Sequence, residues 1–511
     1  MSAESNVNAE AARSAETAPG PAADLSVVRE PAWVRHAIWW RLYPLGFVDA
    51  FPEPATGPAR ADEHRLRRII PWLDHAIRLG ASGIALGPIF ASDGHGYDTL
   101  DHLSIDPRLG DGADFDLLVA EAHARGLRVQ LDGVFNHVSR NHPWVVEAVQ
   151  QGPGGEAARR LRARGPDGGG DRSEAGEDGT LPFATFEGHD TLIALDHTSP
   201  QVAQYVQHVL RYWLDRGVDA WRLDAAYAVP TWFWSEVLPQ VRSTHPSAWF
   251  EAEVIHGDYC AFVQQSTADT VTQYELWKAI WSSIQDRNFF ELDWALRRHN
   301  TMLDAFVPST FVGNHDVTRI ASRLTDRRHL AHAVVLLATL GGTPTVYAGD
   351  EFALQGIKED RTGGDDAVRP AFPAEGPDAL ADADLRMLRL HQQLLGLRRR
   401  HPWLHRALSH AVVLENEQYL LRLEGGDGQA LLVALNLSDR PGAAPLPGGV
   451  LLGDQLLYGN ELLGGGQMPV ADMLPATDRV PGGDQLTARR PLRLGPHGWA
   501  VLAPDDLLPD D

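Results

Sequence analysis

Two short segments carry charged residues in the spacing a strand would need to aim them together. VDAWRLD spans residues 218–224. In a strand alternate side chains share a face, so Ala220, Arg222 and Asp224 point one way and Trp221 and Leu223 the other. A buried charge is costly without a partner, and Arg222 beside Asp224 supplies one. The same guanidinium is expected to hold Asp224 ionised, as a nucleophile requires. A purely structural ion pair is the alternative. FEAEV at 250–254 puts Glu251 and Glu253 on one face, with Glu253 nearer the strand end. A carboxyl group set among Trp, Tyr and Phe keeps its proton more easily and suits a general acid. Neighbouring strands lie about 4.8 Å apart. That spacing fits the carboxyl separation of roughly 5–5.5 Å in a retaining glycosidase better than the wider inverting gap.

Other polar residues fall at the ends of the same kind of segment. Asp132 closes LRVQLD and is followed by Asn136 and His137; Asn314, His315 and Asp316 follow PSTFV; HGYD at 95–98 supplies Tyr97 and Asp98. A lone histidine is more often structural, but two beside Asn suit hydrogen bonds to sugar hydroxyls, and Tyr97 offers a ring face to a pyranose. A zinc site is the rival reading. It needs three or four ligands of fixed geometry, and no HExxH is present.

Such residues converge only if the elements carrying them form one rim. Apolar, strand-like runs recur near 38, 84, 129, 220, 250, 272, 310 and 345, separated by helical patterns such as 64–80, 114–127, 202–217, 230–245, 286–305 and 327–342. Alternation of this kind implies parallel strands covered by helices, and eight of them predict a closed (β/α)8 barrel, with sites at the C-terminal strand ends. An open doubly wound sheet is the alternative, disfavoured by the count and by the lack of a phosphate-type glycine motif. The expected organisation is a disordered leader over 1–30, a first barrel part over 31–137 and an inserted domain over 138–195. A second barrel part over 196–408 and an antiparallel C-terminal β-sandwich over 409–511 follow. The insertion is rich in Gly, Asp and Arg, and poor order is expected around 151–180.

Composition narrows the function classes. The chain of 511 residues has 45 Lys+Arg against 68 Asp+Glu, a net charge of −23. That is unsuited to a nucleic-acid backbone or an anionic membrane surface. Cys260 is the single cysteine, so no internal disulfide or thiolate metal cluster forms. The first residues lack a basic patch followed by an apolar core, and no run is long enough to span a membrane. A cytoplasmic enzyme is expected, and a homo-oligomer is compatible with the sequence.

The motifs, taken together, resemble glycoside hydrolase family 13, the α-amylase family. The resemblance covers roughly 33–508. DGVFNH at 132–137, GVDAWRLDAA at 217–226, FEAEVIHGD at 250–258 and FVGNHD at 311–316 look like the family's four central motifs in order. GIALGPIF with HGYD and GTPTVYAGDE at 342–351 fit its flanking ones. The resemblance implies a double displacement with Asp224 as nucleophile, Glu253 as acid/base and Asp316 holding sugar hydroxyls. Tyr97, Asp98, His137, Arg222 and His315 would bind the substrate, and Asp132 would support the site from behind. It implies Asn136 as a calcium ligand, with no other cofactor, and an α-glucan oligosaccharide as substrate. Ala225, Ala226 and Tyr227 stand where starch-degrading members often have a Lys-His pair. The wording of DAWRLD and EVIHGD is closer to the cyclomaltodextrinase and neopullulanase group, although that group usually has an extra N-terminal β-domain. Hydrolysis of short maltooligosaccharides or cyclomaltodextrins is the leading expectation. Transglycosylation or isomerisation through the same intermediate is second, and a binding-only homologue third.

Overall fold

A computed structural model describes residues 30–50, 64–152, 154–164, 183–361, 363–381, 383–444, 452–459 and 492–504. Eight parallel strands make up its central sheet: Trp39–Leu42, Gly83–Leu86, Arg128–Val134, Ala220–Asp224, Trp249–Ala252, Thr270–Val271, Ser309–Phe311 and Thr343–Tyr347. Numbered one to eight in chain order, they pair as six, five, four, three, two, one, eight, seven. A parallel bridge between Thr272 and Ser309 joins the sixth to the seventh and closes the barrel.

The predicted strands and helices form, with differences at their ends that have local causes. The aromatic run 36–47 is strand only to Leu42, because Pro44 starts a helical turn over Pro44–Phe47. The helical pattern 64–80 begins as a 3-10 turn, Arg65–Ile69. It becomes α-helical over Ile70–Leu79, with Pro71 in the first turn and Gly80 ending it at φ 104°. The sixth strand is two residues long, since the Gln273 side chain accepts the Leu276 amide and opens the helix Tyr274–Gln285. A further helix, Phe289–Ala305, follows a break in which Arg287 has φ 52°.

Alternation in the strands stacks the barrel interior in layers. Trp39, Ala85, Ala220 and Trp249 form the floor, with Val34 and Ala37 beneath and Trp33 packed against them. Trp39 and Trp249 stack at 5.9 Å, and Trp33 meets both edge-on. Gly83 lies against the Trp39 ring, leaving no room for a Cβ. Arg41, Gln130 and Glu251 form the next layer, where Glu251 takes bonds from Arg41 at 3.2 Å and Gln130 at 2.9 Å. Trp221 and Leu223 point outward into the core under the helices, as alternation requires. Replacing the floor indole in Trp249→Ala is expected to cost about 3–5 kcal/mol, the range for large-to-small core changes. Urea unfolding followed by tryptophan fluorescence reads it as a lowered midpoint.

Between strands three and four the chain leaves the barrel. It forms a three-stranded sheet of His137–Ser139, His189–Ala194 and Thr185–Phe186 and a helix Pro143–Gln151. Of the stretch expected to be poorly ordered, residues 154–164 take defined places, with bridges Leu161 to Leu195 and Ala163 to Phe183, while 165–182 lie outside the described residues. Residues 1–29 of the expected leader lie outside them too, and Glu30 pairs with His405 and Arg406. After the helix Leu385–Arg400, a five-stranded antiparallel sheet and a two-stranded ladder make up the described C-terminal region. Tyr419 ties that sheet to the barrel through Asp293 at 2.9 Å. Among the described residues no helix is long and apolar enough to cross a membrane.

Buried histidines give the fold an acid limit. Burial pulls His102, His197 and His299 down to about 4 and His137, His142 and His332 to about 3. In the unfolded chain each binds a proton near pH 6.5. The unfolded state therefore holds more protons below that pH, and stability present above it is lost as pH falls toward the folded values. The loss approaches about 1.4 kcal/mol per pH unit for each group. Melting temperatures measured from pH 8 to 5 are expected to hold level and then drop steeply below about 6.5; a flat profile to pH 5 contradicts this.

Candidate active site

Asp132, Arg222, Asp224 and Glu253 occupy the upper layers of the barrel, above Arg41 and Glu251. The pairing of strands three and four sets Asp132 opposite Arg222, and Arg222 Nη1 reaches both Asp132 oxygens at 2.7 Å. Ala252 pairs with Leu223, so Glu253, one residue on, comes level with Asp224. Arg222 touches Asp224 at 3.2 Å through Nη1 and Glu253 through Nη2. All four are buried.

Glu253 is fixed from three sides. Arg222 holds Oε1, the Tyr274 hydroxyl donates to the same oxygen at 3.2 Å, and the Ala225 amide donates to Oε2 at 2.9 Å. Ala225 adopts φ 45°, a left-handed conformation costing of order 1 kcal/mol in a non-glycine residue. The turn directs its N–H at the carboxylate. Tyr274 also accepts from Asn314 Nδ2 at 3.0 Å, which links the rim from strand six to strand seven.

The surroundings of Asp224 hold more charge than its neighbour in sequence supplies. Burial first, and then the Glu253 carboxylate, push the Asp224 carboxyl well above the usual range against the pull of Arg222. Arg222 divides its contacts among three carboxylates, Asp132, Asp224 and Glu253.

Asp316 differs. Burial opposes its charge, but the His315 ring at 3.0 Å and the Arg369 guanidinium at 2.9 Å outweigh it and hold the carboxyl below its usual value. His315 lies parallel to Tyr97 and Tyr43, with ring centroids 5.5 and 6.0 Å away, and burial pulls its pKa down against the pull of Asp316. The Tyr97 hydroxyl meets His315 Nε2 and lies 3.3 Å from Asp132. His137 stacks on Phe186 at 4.6 Å and bonds the Tyr97 carbonyl at 3.1 Å. These residues assemble on one rim.

Asp98 holds the turn beside them. Its Oδ1 turns back to accept the His95 and Gly96 amides, both at 3.1 Å, so it shapes the turn that presents Tyr97. Asn136 Oδ1 is buried without a hydrogen-bond partner, as a cation ligand would be. Its Nδ2, however, faces His137 Nδ1 at 3.1 Å, and among the described residues no three-membered carboxylate or imidazole cluster includes its surroundings. A calcium ion prefers six to eight oxygens, and this donor set does not fit it. The clusters with metal-ligand spacing are elsewhere: Asp326, His329 and His497, and His64, Asp111 and Asp114.

Sequence reasoning did not single out Arg41, Gln130, Tyr274 or Arg369. Arg41 and Gln130 were findable by alternation, two residues from Trp39 and Asp132. Arg369 lies in a loop with no periodic signal.

The catalytic-domain profile of the alpha-amylase family matches residues 43–164 and 175–407, more than half of the chain. This chain belongs to the alpha-amylase family. It is a glycoside hydrolase of that type, built on a (β/α)8 barrel with a C-terminal β-sandwich. A cyclomaltodextrinase from Bacillus sp is 29% identical over 438 residues, which is 82% of this chain and 75% of that protein. A maltogenic alpha-amylase from Bacillus acidopullulyticus is 28% identical over 351 residues, 65% of this chain and 58% of its own length. The ligand-free structure of cyclic alpha-maltosyl-(1→6)-maltose hydrolase from Arthrobacter globiformis superposes with a TM-score of 0.72 at 24% identity. It covers 93% of this chain and 99% of its own, a likeness of fold.

Proposed function

We propose that this alpha-amylase family member is a retaining hydrolase of α-1,4-glucosidic bonds in short maltooligosaccharides or cyclomaltodextrins. The observation that carries the reading is the level placement of Asp224 and Glu253 on adjacent strand ends, bridged by Arg222. Cyclomaltodextrinase and maltogenic amylase among its relatives support the substrate class.

The reaction follows from these groups. Glu253 gives its proton to the glycosidic oxygen as the bond to the anomeric carbon breaks. Asp224 bonds that carbon from the other face and forms a β-glycosyl ester. Positive charge developing on the sugar favours the carboxylate form of Asp224, the form that bonds the anomeric carbon. Glu253 then takes a proton from water, whose oxygen displaces Asp224 and gives an α-configured product. Asp316, held ionised by Arg369, accepts hydroxyls of the same sugar. His137, His315 and Tyr97 complete its walls. The steps balance without a cofactor. A cytoplasmic setting, with soluble oligosaccharides at hand, suits this chemistry.

A time course of products from maltotriose, maltohexaose and β-cyclodextrin tests the reading, with anomers read early by NMR. Shorter sugars, α-configured at first, are expected. Longer or relinked sugars without net hydrolysis assign the same site to transglycosylation, and β-configured first products overturn the mechanism.

A further inference from the structure

At the end of the barrel opposite the catalytic rim, a cavity of about 210 Å³ opens beside Ile38 and Ser82, which precede the first two strands. The end of the helix Leu385–Arg400 and the turn Pro402–Arg406 close its other side. Its ionisable lining is Arg35, His36, Arg398, Arg399, His401 and His405, with no carboxylate among the lining residues. That is unlike the rest of a chain with net charge −23.

Arg398 is buried, 5% exposed. Its guanidinium donates to the carbonyls of Ala338 at 3.0 Å, Leu340 at 2.8 Å and Gly342, and no ion-pair partner faces it among the described residues. Carbonyl dipoles orient a guanidinium but do not neutralise it, and burial alone pulls its pKa to about 9. Glu30, the nearby acid, is engaged by His405 and Arg406.

Hydrogen bonds also fix which protons the histidines present. Arg35 Nε donates to His36 Nε2 at 2.7 Å, so a neutral His36 carries its proton on Nδ1. Trp403 Nε1 donates to His401 Nδ1 at 3.3 Å, which leaves the His401 proton on Nε2. Three guanidinium groups, those of Arg35, Arg398 and Arg399, and the His36 and His401 rings line one small cavity that no carboxylate lines. Several charged donors around a small cavity match an acceptor-only, multiply charged oxyanion.

We propose that this cavity is a binding site for a phosphate group, free or as the monoester of a small metabolite, remote from the catalytic carboxylates. Phosphate there spans the starts of two barrel strands and the end of a covering helix, so its binding is expected to stabilise the barrel.

Calorimetric titration and melting curves of the full chain test this with inorganic phosphate and, separately, glycerol 3-phosphate, which lacks a glucosyl ring. Chloride at matched ionic strength is the control. One saturable site and a raised melting temperature are expected. Binding should be at least about tenfold weaker in Arg399→Gln and in His401→Gln, with maltotriose hydrolysis in phosphate-free buffer unchanged. Should either variant fail to fold, His36→Gln replaces it. Equal affinity for both probes assigns the site to free phosphate, and tighter binding of glycerol 3-phosphate to a monoester. No melting shift beyond chloride, or undiminished affinity in the folded variants, overturns the proposal.

Discussion

Asp224→Asn is expected to lower kcat on maltotriose by roughly 10⁴-fold or more, about 5 kcal/mol of barrel-borne transition-state stabilisation. An amide cannot form the glycosyl ester, and no neighbouring carboxylate reaches the same position. Asp132 lies deeper, gripped by Arg222 and Arg41, and Asp316 is held by Arg369 and His315 on a different wall of the rim. Stability should move the other way or not at all. Burial and Glu253 already oppose a charge at Asp224, so a neutral isostere removes a repulsion. Retained melting temperature with lost turnover separates the chemical role from a structural one. If the side chain is only an ion-pair partner of Arg222, the variant keeps its activity.

The Glu253→Gln substitution should divide substrates by their leaving group. With maltotriose the loss in kcat/KM is expected to be roughly 10²–10⁴-fold, the usual scale of general acid–base assistance. A nitrophenyl or fluoride leaving group departs without a proton, so glycosylation of Asp224 is largely spared while hydrolysis of the ester slows. Pre-steady-state kinetics would then show a burst of released leaving group followed by slow turnover. Equal losses for good and poor leaving groups, with no burst, would remove Glu253 from the acid/base role. The Gln amide oxygen can keep only one of the bonds that Oε1 takes from Tyr274 and Oε2 takes from the Ala225 amide, so the melting temperature of the variant is the check that the fold is retained.

Much of the barrel is legible because its strands are short apolar runs buried on both faces, interrupted where a charge points inward. Alternation in 218–224 was enough to aim Arg222 and Asp224 at one axis and Trp221 and Leu223 away from it. Register was not legible. That Glu253 comes level with Asp224 depends on the pairing of Ala252 with Leu223. Arg369 escaped notice because its partner, Asp316, is set by a long loop rather than by periodicity. The turn held by Asp98 was not legible either: Gly96, at φ 88°, bends the segment so that the carboxylate caps it. The charges around Asp224 were legible only in part. Sequence showed one arginine beside one aspartate, whereas the fold brings Asp132 and Glu253 to the same guanidinium.

The covalent step is open to direct observation. Glu253→Gln incubated with α-glucosyl fluoride needs no acid to lose fluoride, and it lacks the base that would activate water against the ester. Mass spectrometry of the quenched protein and its peptides is expected to find one added hexosyl unit on the peptide containing Asp224. An unmodified protein that nonetheless releases fluoride, or a hexosyl group on any other peptide, would contradict the assignment of Asp224 as the nucleophile.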